Sequence, residues 1–586
     1  MVNASADEET TSHPVMTHVF RVRAPKANQL WLCLFDAAGE TRLPMVRDGE
    51  HWCCDLTLAQ GTRYGLRAAG PPPFDCSKLL VDPGATHLDG PFTYHPELCE
   101  PGLDTAALVP KAVVTRPLPP LPPRAPVFKA GGLIYEVNVR GFTMLHPDVP
   151  EELRGTVAAL AHPAVIAHLR RLGVDAVELM PVVAWIDERH LPPLGLRNAW
   201  GYNPVVPMAL DPRLCPGGMA ELRATVEALR QEGIGTILDL VFNHSGESDL
   251  HGPTLSFRGL DDQVYARAPD GALINDAGTG NILDFGQPHV REMTLATLRH
   301  FVTQAGVDGF RFDLAPVLAR SPGFDPNAAI FAEIAADPLL ADRIMIAEPW
   351  DVGPGGYQLG AFPSTWLEWN DRFRDDVRRF WRGDGSAGAL ATRLAGSTDI
   401  FGTERTRSVN FVAAHDGFTL ADTVAYAARH NHANGEQNRD GHADEVSWNA
   451  GSEGEGRGED VRALLASLFA ARGTIMLTAG DEFGRTQGGN NNAYAQDNAT
   501  SWLNWSARDR DLERYVAGLA AWRRANAGIG APGIRHDLTW STIRGGAMNA
   551  ADWEASYGLV MELPEGAGIR IDRASRIVDL LPPPRA

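Results

Sequence analysis

The sequence predicts a multidomain α/β protein: a central (β/α)8 barrel, an N-terminal β-sandwich before it and a small C-terminal β-domain after it. Three observations lead there. From about residue 128 to 520, short and nearly continuous apolar runs alternate with longer amphipathic segments, as parallel strands covered on both faces by helices do. Polar residues recur at the C-terminal ends of those runs, where barrel chemistry collects. Upstream, the proline-dense segment VTRPLPPLPPRAPV (114–127) separates the runs from a stretch of alternating strands, and such a segment is an extended connector.

The whole chain narrows the possibilities. Its 586 residues exceed one ordinary domain, and 44% apolar with 22% charged residues is a globular composition. Fifty-three Lys and Arg against 73 Asp and Glu leave a net charge of −20. No cationic surplus exists to neutralise phosphates, which argues against nucleic acid or an anionic membrane as partner. Six cysteines at 33, 53, 54, 76, 99 and 215 follow no metal-ligand spacing and read as reduced thiols. The start, MVNASADEETTSHPVM, is acidic and polar where a signal peptide is basic and then apolar. No run approaches the roughly 18 apolar residues of a membrane span. Cytoplasmic residence is expected.

Taken in order, residues 1–16 read as a poorly ordered tail. Over 17–110, HVFRVRA, NQLWLCLFDAAG, HWCCDLTL and TRYGLRAAG alternate apolar and polar residues between turn signals, as in a small antiparallel sandwich. Residues 111–127 form the linker. The barrel strands are GLIYEVNV (132–139), AVELMPV (176–182), GTILDLVF (235–242), GFRFDL (309–314), RIMIAEP (343–349), VNFVAAHD (409–416) and TIMLTAGDE (474–482). An eighth must fall between 350 and 408, with LEWNDRF (367–373) as the candidate. After the third run, residues 245–281 form a Gly- and Asp-rich excursion, and long loops in compact domains are usually functional. Residues 521–586 carry a few strands of a reduced terminal β-domain.

The chemistry sits at the strand ends. Asp239, Asn243 and His244 accompany the third run, Asp313 the fourth, Glu348 the fifth, and His415 with Asp416 the seventh. In GFRFDLA, alternation puts Arg311 and Asp313 on one face and Phe310 and Phe312 on the other. A guanidinium there keeps the carboxylate ionised and oriented, as a carboxylate nucleophile requires; a structural ion pair is the competing reading. Glu348 follows the apolar IMIA and precedes Pro349-Trp350, surroundings that raise a carboxyl pKa as a general acid needs. Asp416 is a third acid, and whole βα units separate the three. Two carboxyls flanking one bond are the apparatus of glycoside hydrolysis, and a third can hold sugar hydroxyls. Trp200 and Tyr202, Trp350, Trp366 and Trp369, and Trp502 and Trp505 lie in loop-like surroundings that suit sugar faces, with core packing the alternative for each. No GxxxxGK[ST] loop supports phosphoryl transfer.

Together, DLVFNH (239–244), GFRFDLA (309–315), AEPWD (347–351) and VAAHDG (412–417) resemble the four conserved blocks of the α-amylase superfamily of glycoside hydrolases. The likeness is greatest to glycogen debranching enzymes of the isoamylase type, through AWGYNP, GPTLSFRG, AEPWDVGPGGYQLGAFP, EWNDRFRDDVRRFW, NGEQNRDG and GGNNNAYAQDN. LFDAAGE, YGLRAAGP and KLLVDP are similar to a family-48 carbohydrate-binding module, although the stretch before KLL is shorter than usual. The resemblance implies Asp313 as nucleophile, Glu348 as acid/base and Asp416 as transition-state stabiliser. It implies sugar contacts for Arg311, His244, His415 and Tyr202, and a structural or sugar-proximal role for Asp239; Trp200 and Trp350 are the aromatic candidates. The implied substrate is an α-glucan, glycogen or limit dextrin, cut at α-1,6 branches without an organic cofactor. Some superfamily members bind calcium near the third-strand loop, where Asn243 is the candidate ligand; no required metal is expected. Two other readings stay open: another activity of the superfamily, such as α-1,4-glucan hydrolysis or malto-oligosyltrehalose trehalohydrolysis, and a noncatalytic glucan-binding protein.

Overall fold

Eight parallel strands close into a barrel: Leu133–Val137, Ala176–Leu179, Gly235–Leu240, Gly309–Phe312, Ile344–Ala347, Leu367–Asn370, Ser408–Asn410 and Thr474–Thr478. The structure is a computed structural model and describes residues 15–320, 323–534, 536 and 538–581. The strand sought between 350 and 408, with LEWNDRF (367–373) as its candidate, is Leu367–Asn370, sixth in chain order. Its polar residues are paired inside the wall: Glu368 accepts from Gly360 N at 2.6 Å, and Asn370 Nδ2 donates to Ser397 and Ser408 Oγ at 3.0 and 2.9 Å. The seventh strand is shorter than its apolar run, since only Ser408–Asn410 pairs and Phe411–His415 continues buried and unpaired.

Side chains alternate between two cores. Ile134, Ala176, Ile237, Ile346, Trp369 and Met476 fill the barrel interior. Tyr135, Val177, Leu238, Phe310 and Phe312 face outward against the helices. Arg311 and Asp313 therefore sit on the inner face, as alternation required.

Before the barrel, a three-stranded sheet (Val15–Arg23, His51–Ala59, Val46–Asp48) packs on a four-stranded one (Gly39–Pro44, Gln29–Asp36, Arg63–Ala69, Ala112–Val113). Residues 1–14 of the expected tail lie outside the described residues, and Val15 and Met16 already belong to the first strand. Ala112–Val113 edges the second sheet although the linker was expected from 111. The proline-dense segment lies along the barrel helices: Arg223 donates to Pro119 O at 2.9 Å and Arg230 to Ala125 O at 2.7 Å. The sandwich core of Phe20, Leu32, Trp52 and Leu66 continues into Ala184, Ile186, Val205 and Leu255 of the barrel loops. After the helix Arg510–Ala525, four antiparallel strands (Thr539–Ser541, Gly558–Glu562, Gly568–Asp572, Ile577–Leu581) form the last sheet. All six cysteines are unpaired, and among the described residues no helix is long and apolar enough to cross a membrane.

Candidate active site

Arg311 organises the mouth of the barrel. It is fully buried, and its Nη1 lies 2.9 Å from both Asp239 oxygens and 3.0 Å from Asp313 Oδ1. Its Nη2 lies 3.0 Å from Glu348 Oε2. One planar fork thus holds three carboxyls from three neighbouring strands, with the Trp369 ring 4.5 Å beneath its centre. Asp313 is further fixed by Asn243, whose Nδ2 donates to Asp313 Oδ2 at 2.7 Å. The chain then turns sharply: Leu314 is left-handed at φ +42°, and its N–H donates to Glu348 Oε2 at 2.7 Å. A left-handed non-glycine residue is a strained conformation of the kind that clusters at active sites.

These surroundings separate the acids electrostatically. Burial pushes Glu348 up to about 8, with the Asp313 charge adding to it and Arg311 opposing it. Burial raises Asp239 to about 6 against the pull of Arg311. Asp416 goes the other way: burial raises it, but the His442 imidazole at 3.1 Å and His415 outweigh that and hold it down to about 2. A proton donor and an ionised acid therefore coexist at neutral pH within one site.

Asp313, Glu348 and Asp416 line a single cavity of about 430 Å³ with His244, His415, Tyr202 and Trp200. Tyr202 donates to Asp239 Oδ2 at 2.5 Å and stacks on His415 with ring centres 5.0 Å apart. Trp200 stands edge-on to His415 at 4.9 Å. Asn198 accepts from the N–H groups of Trp200 and Gly201 at 2.9 and 2.8 Å, fixing that loop. Burial lowers His244 to about 4, so it is a neutral ring at pH 7. Arg311 and Asp239 lie beneath the lining rather than on it. Trp350 is half-buried against the barrel-interior cluster and is not among the cavity's lining residues. Trp366, Trp369 and Trp505 are buried in the core, and of the three Trp369 lies on a strand. A second cavity of about 270 Å³, lined by Tyr94, Arg189 and Asp249, shares Glu188, His190 and Thr279 with the first.

Several residues escaped the sequence reading. Glu136, on the first barrel strand, accepts from His415 N at 2.9 Å and from Thr478 Oγ1 at 2.8 Å, and meets His415 Nδ1 at 2.6 Å. It lies inside an apolar run, where only its being the sole acid in that run marked it. Glu178 is its in-register neighbour and is wholly buried. His442, Glu436, Asp440 and Tyr494 come from aperiodic loops that carry no periodic signal. Asn243 does not fit a calcium ligand: its Nδ2 is spent on Asp313, and its Oδ1 accepts from His244 Nδ1 at 2.5 Å. Among the described residues no group of three or more His, Cys, Asp or Glu is arranged to hold a metal ion.

No family model matches the sequence. The glycogen debranching enzyme of Serratia proteamaculans is 44% identical over 583 residues, covering 91% of this chain and 87% of the relative. That of Erwinia tasmaniensis is 42% identical over 608 residues, covering 96% and 91%. Among solved structures, a pullulanase from Anoxybacillus sp. LM18-11 complexed with maltotetraose superposes with a TM-score of 0.71 at 22% identity, over 96% of this chain and 81% of that one. That likeness speaks for the fold alone. A closed parallel barrel with acids gathered at its mouth, behind a β-sandwich, is the architecture of the α-amylase superfamily of glycoside hydrolases. Within that class, the chain belongs to the glycogen debranching enzyme family.

Proposed function

We propose that this cavity hydrolyses the α-1,6 branch linkages of glycogen or its phosphorylase-limit dextrin, with retention of anomeric configuration. The observation that carries the reading is the Arg311 fork, which brings Asp313 and Glu348 to one point, where burial keeps the proton on Glu348. Asp313 attacks the anomeric carbon as Glu348 gives its proton to the departing 6-oxygen, and a covalent glycosyl–Asp313 ester forms. Glu348, now a carboxylate, takes a proton from water; the water oxygen displaces Asp313 and frees the sugar. Asp416, ionised, accepts hydrogen bonds from the hydroxyls of the same glucose and strengthens them as its ring flattens. Tyr202 and Trp200 offer aromatic faces to the ring. The second cavity extends the cleft along a chain of several glucoses, which suits a branch rather than a single sugar. The module before the barrel is proposed as family-48-like in its fold, and unpaired cysteines favour a reducing, cytoplasmic setting.

The test offers the enzyme phosphorylase-limit dextrin, linear amylose and a maltooligosyl-trehalose side by side. Release of short linear oligosaccharides from the dextrin, with the other two nearly untouched, is expected. Rapid cleavage of amylose without debranching would overturn the choice of linkage, and binding without turnover on all three would leave only a glucan-binding protein.

A further inference from the structure

We propose that His442 is a positioning residue for this reaction, presenting an imidazolium to Asp416 from the rim of the cavity and so keeping it ionised and aimed at the sugar. The inference rests on the reading that Asp416 works on the bound glucose. It begins from an imbalance: Arg311 serves Asp239, Asp313 and Glu348, but among the described residues no guanidinium pairs with Asp416. What reaches it is His442 Nε2, 3.1 Å from Oδ2. Oδ1 carries no hydrogen bond among the described residues, and 38% of the Asp416 side chain is accessible, so one oxygen is held while the other faces the substrate.

The contact is built rather than incidental. Asn491 ties the two segments together: its Nδ2 donates to His442 O at 2.9 Å, and its carbonyl accepts from Gly417 N at 3.1 Å. Glu445, three residues beyond His442, accepts from Phe418 N at 2.9 and 3.0 Å and from Arg378 at 2.8 Å. Gly417 lies at φ +110°, and a Cβ there would meet Glu445 Oε1 at 2.7 Å, so only glycine lets the loop close so tightly on the residue after Asp416. The charges facing His442 are Asp416, Glu445 and, opposing them, Arg374. Attraction to Asp416 prevails and lifts His442 to about 9, so the imidazole is protonated at neutral pH. Three acids sharing one cavity repel one another, and an ionised Asp416 raises Glu348. A cation on Asp416 alone keeps it charged without taking the proton from Glu348.

A loop-pinning hydrogen bond would look the same in a static structure, so the test separates charge from contact. The pH profile of kcat/KM on limit dextrin is measured for the wild type, His442→Gln, His442→Lys and Asp416→Asn, with thermal melting of each. Glutamine keeps a donor and loses the charge. Removing an adjacent cation moves a carboxylate pKa by about one unit or more, so His442→Gln is expected to shift the acid limb upward by about that much. Its activity should recover toward neutral pH at an unchanged melting temperature, with His442→Lys restoring the limb. A His442→Gln profile superimposable on the wild type, or a pH-independent loss that follows a fall in melting temperature, would overturn the proposal. Full activity in Asp416→Asn would instead remove the reading on which it rests, whatever His442→Gln does.

Discussion

The two ends of the barrel bury similar residues and treat them differently. At the base, Asp308 Oδ2 accepts from Val127 N and Phe128 N at 2.6 and 2.9 Å, and Asp175 from Leu133 N at 2.7 Å. Arg523 donates to the carbonyls of Phe469, Ala471, Gly473 and Gly131. These charges close off loose backbone where the chain enters and leaves the strands. At the mouth, both oxygens of Glu178 and the Nε of Arg311 lack a hydrogen-bond partner, Leu314 is strained, and Glu348 is pushed up to about 8. Carboxyls there outnumber the cations that hold them. Burial shifts the base as well, raising Asp175 and Asp308 and lowering Arg523 to about 10. What sets the mouth apart is that its shifted acids Glu348 and Asp416 open on a cavity, where they can act on a substrate.

If that contrast is right, substitutions at the mouth cost turnover and spare stability, while those at the base do the reverse. The largest effect is expected from Asp313→Ala, which should lower kcat on limit dextrin by about 10⁴-fold or more while binding of the dextrin persists by titration calorimetry. Substantial residual turnover would remove Asp313 as nucleophile. Glu348→Gln follows, at about 10³-fold. The wild type should lose activity as pH rises through about 8, because Glu348 must carry a proton to act as acid and burial holds that proton on up to there; in the glutamine variant this alkaline limb should vanish. At the base, Arg523→Met should cost about 3 kcal/mol of stability by denaturant titration, since it strands buried carbonyls, with kcat per folded molecule unchanged. The smallest effect should come from Glu136→Gln, which loosens His415 without touching substrate. A fall of about 10-fold in kcat/KM is expected from the misplaced ring, with little change in unfolding.

The same contrast explains what the sequence disclosed. Strands whose inner residues are apolar stand out as runs, and Asp313, Glu348 and Asp416 stand out because each ends one. The sixth strand, found where LEWNDRF was the candidate, gave only a faint signal because Glu368 and Asn370 are satisfied inside the wall and break the apolar run. Glu136 hid for the opposite reason, as one acid within an apolar stretch that reads as packing. Trp369 has the look of a loop aromatic until the strand around it is known, whereupon it lies under the Arg311 guanidinium. His442 was illegible because its role depends on a loop folding back over residue 416, and aperiodic segments carry no local record of where they return.

The most direct measurement is the anomeric configuration of the reducing end freed from limit dextrin, followed by proton NMR in the first moments of reaction, before mutarotation. Asp313 and Glu348 each reach a terminal nitrogen of one guanidinium at 3.0 Å, and retaining enzymes hold such a pair about 5–5.5 Å apart for direct attack on the sugar. The α-anomer appearing first is the predicted result. The β-anomer first would mean that water, not Asp313, attacks the sugar, and would contradict the account.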